Sequence, residues 1–308
     1  MEKYIVLFGA GMNGQHIWGE VRARFPEIPL LFCDNSSEKQ KTQYNGTDIV
    51  DFQSLLELYK NEQIDRIILT MSYEREILHQ CVSGGIDVKD LCYWEETYHM
   101  PRFIGEKYRK EIYAQDGEEI FLKELFDQKK KGTYVDIGAN HPFRFSNTNW
   151  AYVRGWRGIN IEPDLVNYEL LKHIRKEDIN LNCGISDKET QLDYYVFREN
   201  ALNTFCEDEI ENRDNIIEIR KIPVRRMDSV LREYDIHEID YIDIDVEGME
   251  LQVLNSIDWE SVNIRCILLE QKALSLYGVL ESEACKLLRT KGYIPVNKYN
   301  RTVIYIPE

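Results

Sequence analysis

The sequence predicts an α/β chain of two Rossmann-like domains. Two glycine turns, each at the end of a β-forming run, lead to that reading: VLFGAGMNG at 6–14 and TYVDIGANH at 133–141. Strand-like and helix-like segments alternate around both turns, and 308 residues suit two domains of about 100–200 each. The expected division is residues 1–105 and 106–308.

Composition narrows the function classes. With 43% hydrophobic and 30% charged residues the chain has ample core material. A formal charge of -16 opposes nucleic acid and anionic lipid, which both attract basic surfaces. The start, MEKYIVLFGAG, lacks the pattern of a secretory leader, and no apolar run approaches the roughly 20 residues of a membrane helix. A cytoplasmic protein without membrane partners is expected. Seven scattered cysteines without a C-x-x-C pair read as reduced thiols, and the histidines lack ligand spacing, so no metal is expected.

In the first domain a strand at 4–8 leads into Gly9, Gly11 and Gly14 with G-x-G-x-x-G spacing, then a helix over 13–24. The strand at 30–33 ends at Asp34, where an acid would meet a ribose hydroxyl. A buried strand at 64–70 and a helix stopped by Gly84 and Gly85 complete a half-Rossmann unit. It resembles small nucleotide-binding-like domains of bacterial sugar-modifying and surface-polysaccharide proteins. Two readings stand: a site for NAD or a nucleotide-sugar, and a degenerate fold that packs against a neighbour. Periodicity is lost over 93–111, where the boundary is placed.

The second domain opens with a helix over 116–128 and the strand 133–137. Its turn keeps Gly138, carries Asp136 just before it, and lacks the further glycines that wrap a pyrophosphate. An acid there repels phosphate and attracts a cationic amino-acid end. S-adenosylmethionine is such a ligand. Its ribose would meet Glu162, at the end of the next strand, so Asp136 and Glu162 take different halves of one cofactor.

The stretches AQDGEEIFL, VDIGANHPFRFSNT, GWRGINIEP, LNCGIS and YIDIDVEGMELQVL, in order from about residue 114 onward, resemble the FkbM-type S-adenosylmethionine-dependent methyltransferases. The resemblance implies a class I methyltransferase-like fold, a doubly wound, seven-stranded mixed sheet with an antiparallel last strand. Strand patterns at 133–137, 158–162, 179–183, 239–245, 262–270, 293–297 and 302–306 agree. It also implies cofactor roles for Asp136, Gly138, Asn140 and Glu162, an adenine-side position for residues 183–186, including Gly184 and Ser186, and a fourth motif at Asp245, Glu247 and Gly248. Many relatives have lysine or serine where this chain has Asp243.

Methyl transfer is an in-line displacement that needs alignment and, for a hydroxyl acceptor, removal of a proton. Asp245 and Glu247 are the candidates for positioning and general base. Asp243 reads as a cofactor ligand or a buried structural acid. His141 reads as a second candidate base, since imidazole titrates near neutrality, or as a wall of the turn. Asn147 is expected to cap a helix starting at 148. Arg144, Asn147 and Thr148 at the rim, with Arg154 and Arg157 beyond, could hold a sugar or phosphate. RKIPVRR at 220–226 reads as a charged edge strand or a contact for an anionic acceptor.

The expected activity is therefore methyl transfer to a hydroxyl or amino group, oxygen favoured, of a sugar, a glycan-linked or related small acceptor, with or without a nucleotide. The first domain would recruit that acceptor or join subunits into a homo-oligomer. The rivals are an NAD-dependent oxidoreductase or epimerase using the first turn, and a non-catalytic binding protein with a vestigial methyltransferase fold.

Overall fold

The computed structural model describes residues 3–70, 74–95, 99–106, 112–210 and 213–308. It divides into two compact units, Met1–Tyr108 and Arg109–Glu308. Residues 96–98 and 107–111 of the expected junction lie outside the described residues. Its earlier part is no linker, because Leu91–Glu95 and Met100–Phe103 pair as antiparallel strands.

The first unit holds a seven-stranded sheet centred on Tyr4–Phe8, with Leu30–Cys33 and Ile64–Leu69 beside it in parallel. Residues 5–8 and 30–33 are buried throughout, as strands covered on both faces require. The helix Met12–Arg24 starts so close to the turn that a Cβ on Gly14 would meet the Gly9 carbonyl oxygen at 1.8 Å. Asp34, read as a free ribose acceptor, is turned onto its own loop. It accepts from the Ala10 and Ser36 amides at 2.8 and 2.9 Å and pairs with Lys39 at 3.0 Å.

In the second unit the strands, numbered within it, are β1 Thr133–Ile137, β2 Arg157–Ile161, β3 Ile179–Leu181, β4 Tyr241–Ile244, β5 Ile267–Glu270, β6 Tyr293–Tyr299 and β7 Thr302–Pro307. They form one sheet in the order β3-β2-β1-β4-β5-β7-β6. The first five are parallel, while β7 runs antiparallel to β5 and to β6. The order reverses between β1 and β4, which opens a crevice above their carboxyl ends. Side chains alternate across the sheet. Val135, Ile137, Ile242 and Ile244 enter one core, and Tyr134, Tyr241, Trp150 and Trp156 the other.

Three local expectations are corrected. The run 262–270 is two short strands, Asn263–Ile264 pairing with Glu238–Ile239, then β5. The helix expected over 116–128 is shorter, Glu118–Leu125, with Gly117 at its N-cap. RKIPVRR is an edge only in part: Ile216–Arg225 pairs along its length with Thr190–Phe197, but with Gly184–Ile185 only at Val224 and Arg225, so 220–223 keep one open, solvated side. Its charges are met by neighbours, Lys221 by Asp193 at 2.8 Å and Arg225 by Glu233 at 2.5 Å.

Replacing Gly14 with alanine should lower the first unit's stability in urea denaturation by about 1–3 kcal/mol, the usual cost of overpacking. An unchanged midpoint would mean that the helix shifts freely and that the close approach has no structural value.

Candidate active site

β1 ends in the Gly138 turn, at φ +82, where a Cβ would meet the Asp245 carbonyl oxygen at 1.8 Å. Only glycine suits both the left-handed backbone and that contact. Above this turn lies a cavity of about 450 Å³, an ordinary size for a small-molecule site. Its walls include Gly138, Asn140, Glu162 and Gly184 on one side, and Asp243, Asp245, Glu247 and Glu270 on the other.

The floor is a buried polar network. Asp136 and Asp243 sit opposite each other in paired strands. Asp136 bonds Thr148 Oγ1, and fully buried Arg175 lies 3.9 Å from it. The same guanidinium donates to Thr148 Oγ1 at 2.5 Å, Asn160 Oδ1 at 3.0 Å, Ser146 Oγ at 2.7 Å and the Pro142 carbonyl at 2.8 Å. Asp136, expected to attract a cofactor ammonium, also has a cation of the protein beside it, Arg175, and still lines the cavity. Burial pushes the Asp136 carboxyl up while Arg175 pulls it back down. Burial and then the nearby Asp136 push Asp243 well above the ordinary range. Asp243 accepts from Asn147 Nδ2 at 3.0 Å. Asn147 is therefore not the helix cap; Thr148 occupies that position before Asn149–Val153.

Glu162 accepts from the Asn140 amide at 2.6 Å and the Asp164 amide at 2.7 Å, which aims its carboxylate across the turn. Asn140, held at φ +48, takes hydrogen bonds from the Asn167 and Asn200 side chains, both at 2.6 Å. His141 is buried, and its Nδ1 accepts from the Phe143 and Arg144 amides, each at 3.1 Å. It folds the loop and is not among the described lining residues, so the geometry favours the wall over the base. Gly184 lines the cavity, but Ser186 does not; its amide donates to the Arg225 carbonyl at 2.8 Å.

Beyond β4 the chain turns sharply, with Glu247 at φ +47 and Gly248 at φ +104. Left-handed backbone at a glutamate needs support. Thr204 Oγ1 donates to the Glu247 carbonyl at 2.6 Å, and the Gly248 amide donates to Glu250 Oε1 at 3.0 Å. The turn brings Asp245 and Glu247 to Glu270 at the end of β5, with a carboxylate oxygen of each within 4.8 Å of the others. A single cation could touch all three. Asp245 is open to solvent inside the cavity, yet the protein around it, then Glu270 and Glu247, push its carboxyl well above the ordinary range. Glu247 is pushed up to about 7, by burial first and Glu270 next, with Arg301 opposing.

A family model for the methyltransferase FkbM domain matches residues 136–295, just over half the chain. The protein belongs to the FkbM methyltransferase family. Among solved structures, this methyltransferase is similar to methyltransferase FkbM from Methylobacillus flagellatus KT, with 13% identity, 99% of this chain and 90% of that chain covered, and TM-score 0.36. Precorrin-6y C5,15-methyltransferase from Geobacter metallireducens GS-15 is 13% identical over 65% of this chain and 91% of its own, TM-score 0.31. UDP-D-quinovosamine 4-dehydrogenase from Vibrio fischeri is 21% identical over 31% of this chain and 80% of its own, TM-score 0.26. No curated protein matches.

The cavity's donor set fits the methyl donor of such a fold. Glu162 offers acceptor oxygens for ribose hydroxyls, and buried Asn203, also in the wall, has an amide Nδ2 without a partner, suited to a carboxylate or a ring nitrogen. The sequence reading missed Asn203, Arg175 and Glu270. Glu270 had a signal, an acid closing the apolar run ILLE just as Asp245 follows YIDI. Arg175 had none, since a basic residue at a helix end normally faces solvent.

Replacing Arg175 with methionine should destabilise the protein by about 3–5 kcal/mol, because Asp136 keeps a buried charge without its partner. Adding Asp136→Asn should recover part of that loss in urea denaturation. No recovery would show that Arg175 acts through the loop alone.

Proposed function

We propose that the protein transfers a methyl group from S-adenosylmethionine to a hydroxyl of a sugar, glycan-linked or related small acceptor, oxygen being favoured over nitrogen. One observation carries this reading: a single cavity at the ends of β1, β2, β4 and β5 has Glu162, a carboxylate suited to accept from ribose hydroxyls, on one wall and Glu247 on the other. When bound, the sulfonium supplies an electrophilic methyl group. The chain's own residues do the rest. Gly138 keeps the turn low, and Glu162 and Asn203 orient the nucleoside and amino-acid ends. Asp245 positions the acceptor, and Glu247 removes its proton. A carboxyl near 7 is half ionised at neutral pH and is a better base than an ordinary carboxylate.

The first unit is assigned no redox role, since Asp34 is already held by Ala10, Ser36 and Lys39. Seven free cysteines fit a reducing, cytoplasmic setting. Among the described residues no helix is long and apolar enough to cross a membrane.

Calorimetry should show one site for S-adenosylhomocysteine and none for NAD. Glu162→Ala should weaken the former by about tenfold or more, the worth of hydrogen bonds to a charged acceptor. Binding of NAD alone would overturn the assignment. Glu247→Gln should cut kcat about 10²–10⁴-fold with little change in S-adenosylhomocysteine affinity. In the wild type, kcat should rise with pH through about 7, because the ionised carboxylate is the active form. Survival of that acidic limb in Glu247→Gln, measured by methyl transfer to a screened acceptor, would assign the base elsewhere.

A further inference from the structure

The charge of the cavity says what kind of acceptor can enter it. Its described lining carries nine carboxylates and two guanidiniums. Both guanidiniums face acids: Arg144 lies 2.8 Å from Glu199, and Arg301 lies 3.5 Å from Glu270. Lys272, next to Glu270 in sequence after Gln271, is paired with Glu209. Among the described residues one cation therefore faces the three acids Asp245, Glu247 and Glu270, whose oxygens lie within 4.8 Å of one another.

A second observation points the same way. Asn147 lines the same cavity, is more than nine-tenths buried, and has an amide oxygen with no partner. Its Nδ2 donates to Asp243, two residues before Asp245, at 3.0 Å. An oxygen left in this way calls for a hydrogen-bond donor. Crowded carboxylates in a low-dielectric cleft repel phosphate and carboxylate, and favour an ammonium.

Resting on the methyltransferase reading above, we propose that the acceptor is amine-bearing and enters as a cation, its ammonium seated on Asp245 and Glu270 while Glu247 faces the reacting hydroxyl. Phosphate-bearing acceptors are excluded from this end of the cavity. Glu270 is then a specificity-determining residue, held in place by Arg301.

The test uses the full chain saturated with S-adenosylhomocysteine and titrated at pH 7 with glucosamine, glucose and glucose 1-phosphate. Glucosamine should bind at least about tenfold more tightly than glucose, and glucose 1-phosphate more weakly than either. Glu270→Gln and Asp245→Asn should each narrow the glucosamine advantage while leaving S-adenosylhomocysteine affinity unchanged. Equal binding of glucosamine and glucose, tighter binding of the phosphate, or no binding of glucosamine would overturn the proposal. Failure of S-adenosylhomocysteine itself to bind would instead sink the cofactor reading on which it rests.

Discussion

The buried contact between Arg175 and Asp136 is the constraint on which the site depends. A guanidinium with no solvent exposure joins the C-terminal end of one helix to β1, to β2 through Asn160, and to the loop 142–148. Ion pairs of this kind contribute little net stability, because desolvation offsets most of the attraction. Their effect is on geometry: the two terminal nitrogens of the guanidinium make two bonds each, to Thr148 and Asn160 and to Pro142 and Ser146, which ties the loop over the turn to the sheet. Through Thr148 and Asn147 that order reaches Asp243 and the cavity wall.

The acids in this half of the sheet thereby fall into two sets. Asp136 and Asp243 lie in the strands, nearly inaccessible, each with a neutralising or hydrogen-bonding partner. Asp245 and Glu247 lie past the end of β4, against Glu270, in a group that, among the described residues, has Arg301 beside it. The first set is architecture, and the second retains unspent capacity for protons and cations. Alternation along YIDIDVEG explains the split: its first two acids share a face of the sheet only until the strand stops at Ile244.

What the sequence made legible follows the same physics. Apolar runs closed by glycine or an acid match the strands at β1 and β2, and the middle of 239–245 matches β4 while its start, Glu238–Ile239, is a separate strand, because buried parallel strands need such runs. The charged run 220–226 is solvated as its charge suggests, but its end at Val224 and Arg225 is covered by a second strand and its cations meet acids on neighbouring segments, which no local pattern shows. Asn147 looked like a cap because asparagine before a helix usually is one. Its actual partner, Asp243, is 96 residues away, and Glu162 likewise depends on amides brought together by folding. Long-range hydrogen bonds of that kind leave no local pattern.

The link between the two walls is backbone, not side chain. Asp245 donates its amide to the Ile137 carbonyl at 3.0 Å, and its own carbonyl lies where a side chain on Gly138 would be. The Gly138 turn and the start of the acidic turn are therefore stacked directly, with no flexible side chain between them. In-line methyl transfer tolerates little misplacement between nucleophile and methyl, and the rate falls steeply with displacement. A contact between two main chains fixes the separation of the two walls more firmly than any pair of rotamers could. The glycine of the turn thus serves the chemistry twice, by permitting a left-handed backbone and by letting the opposing wall approach.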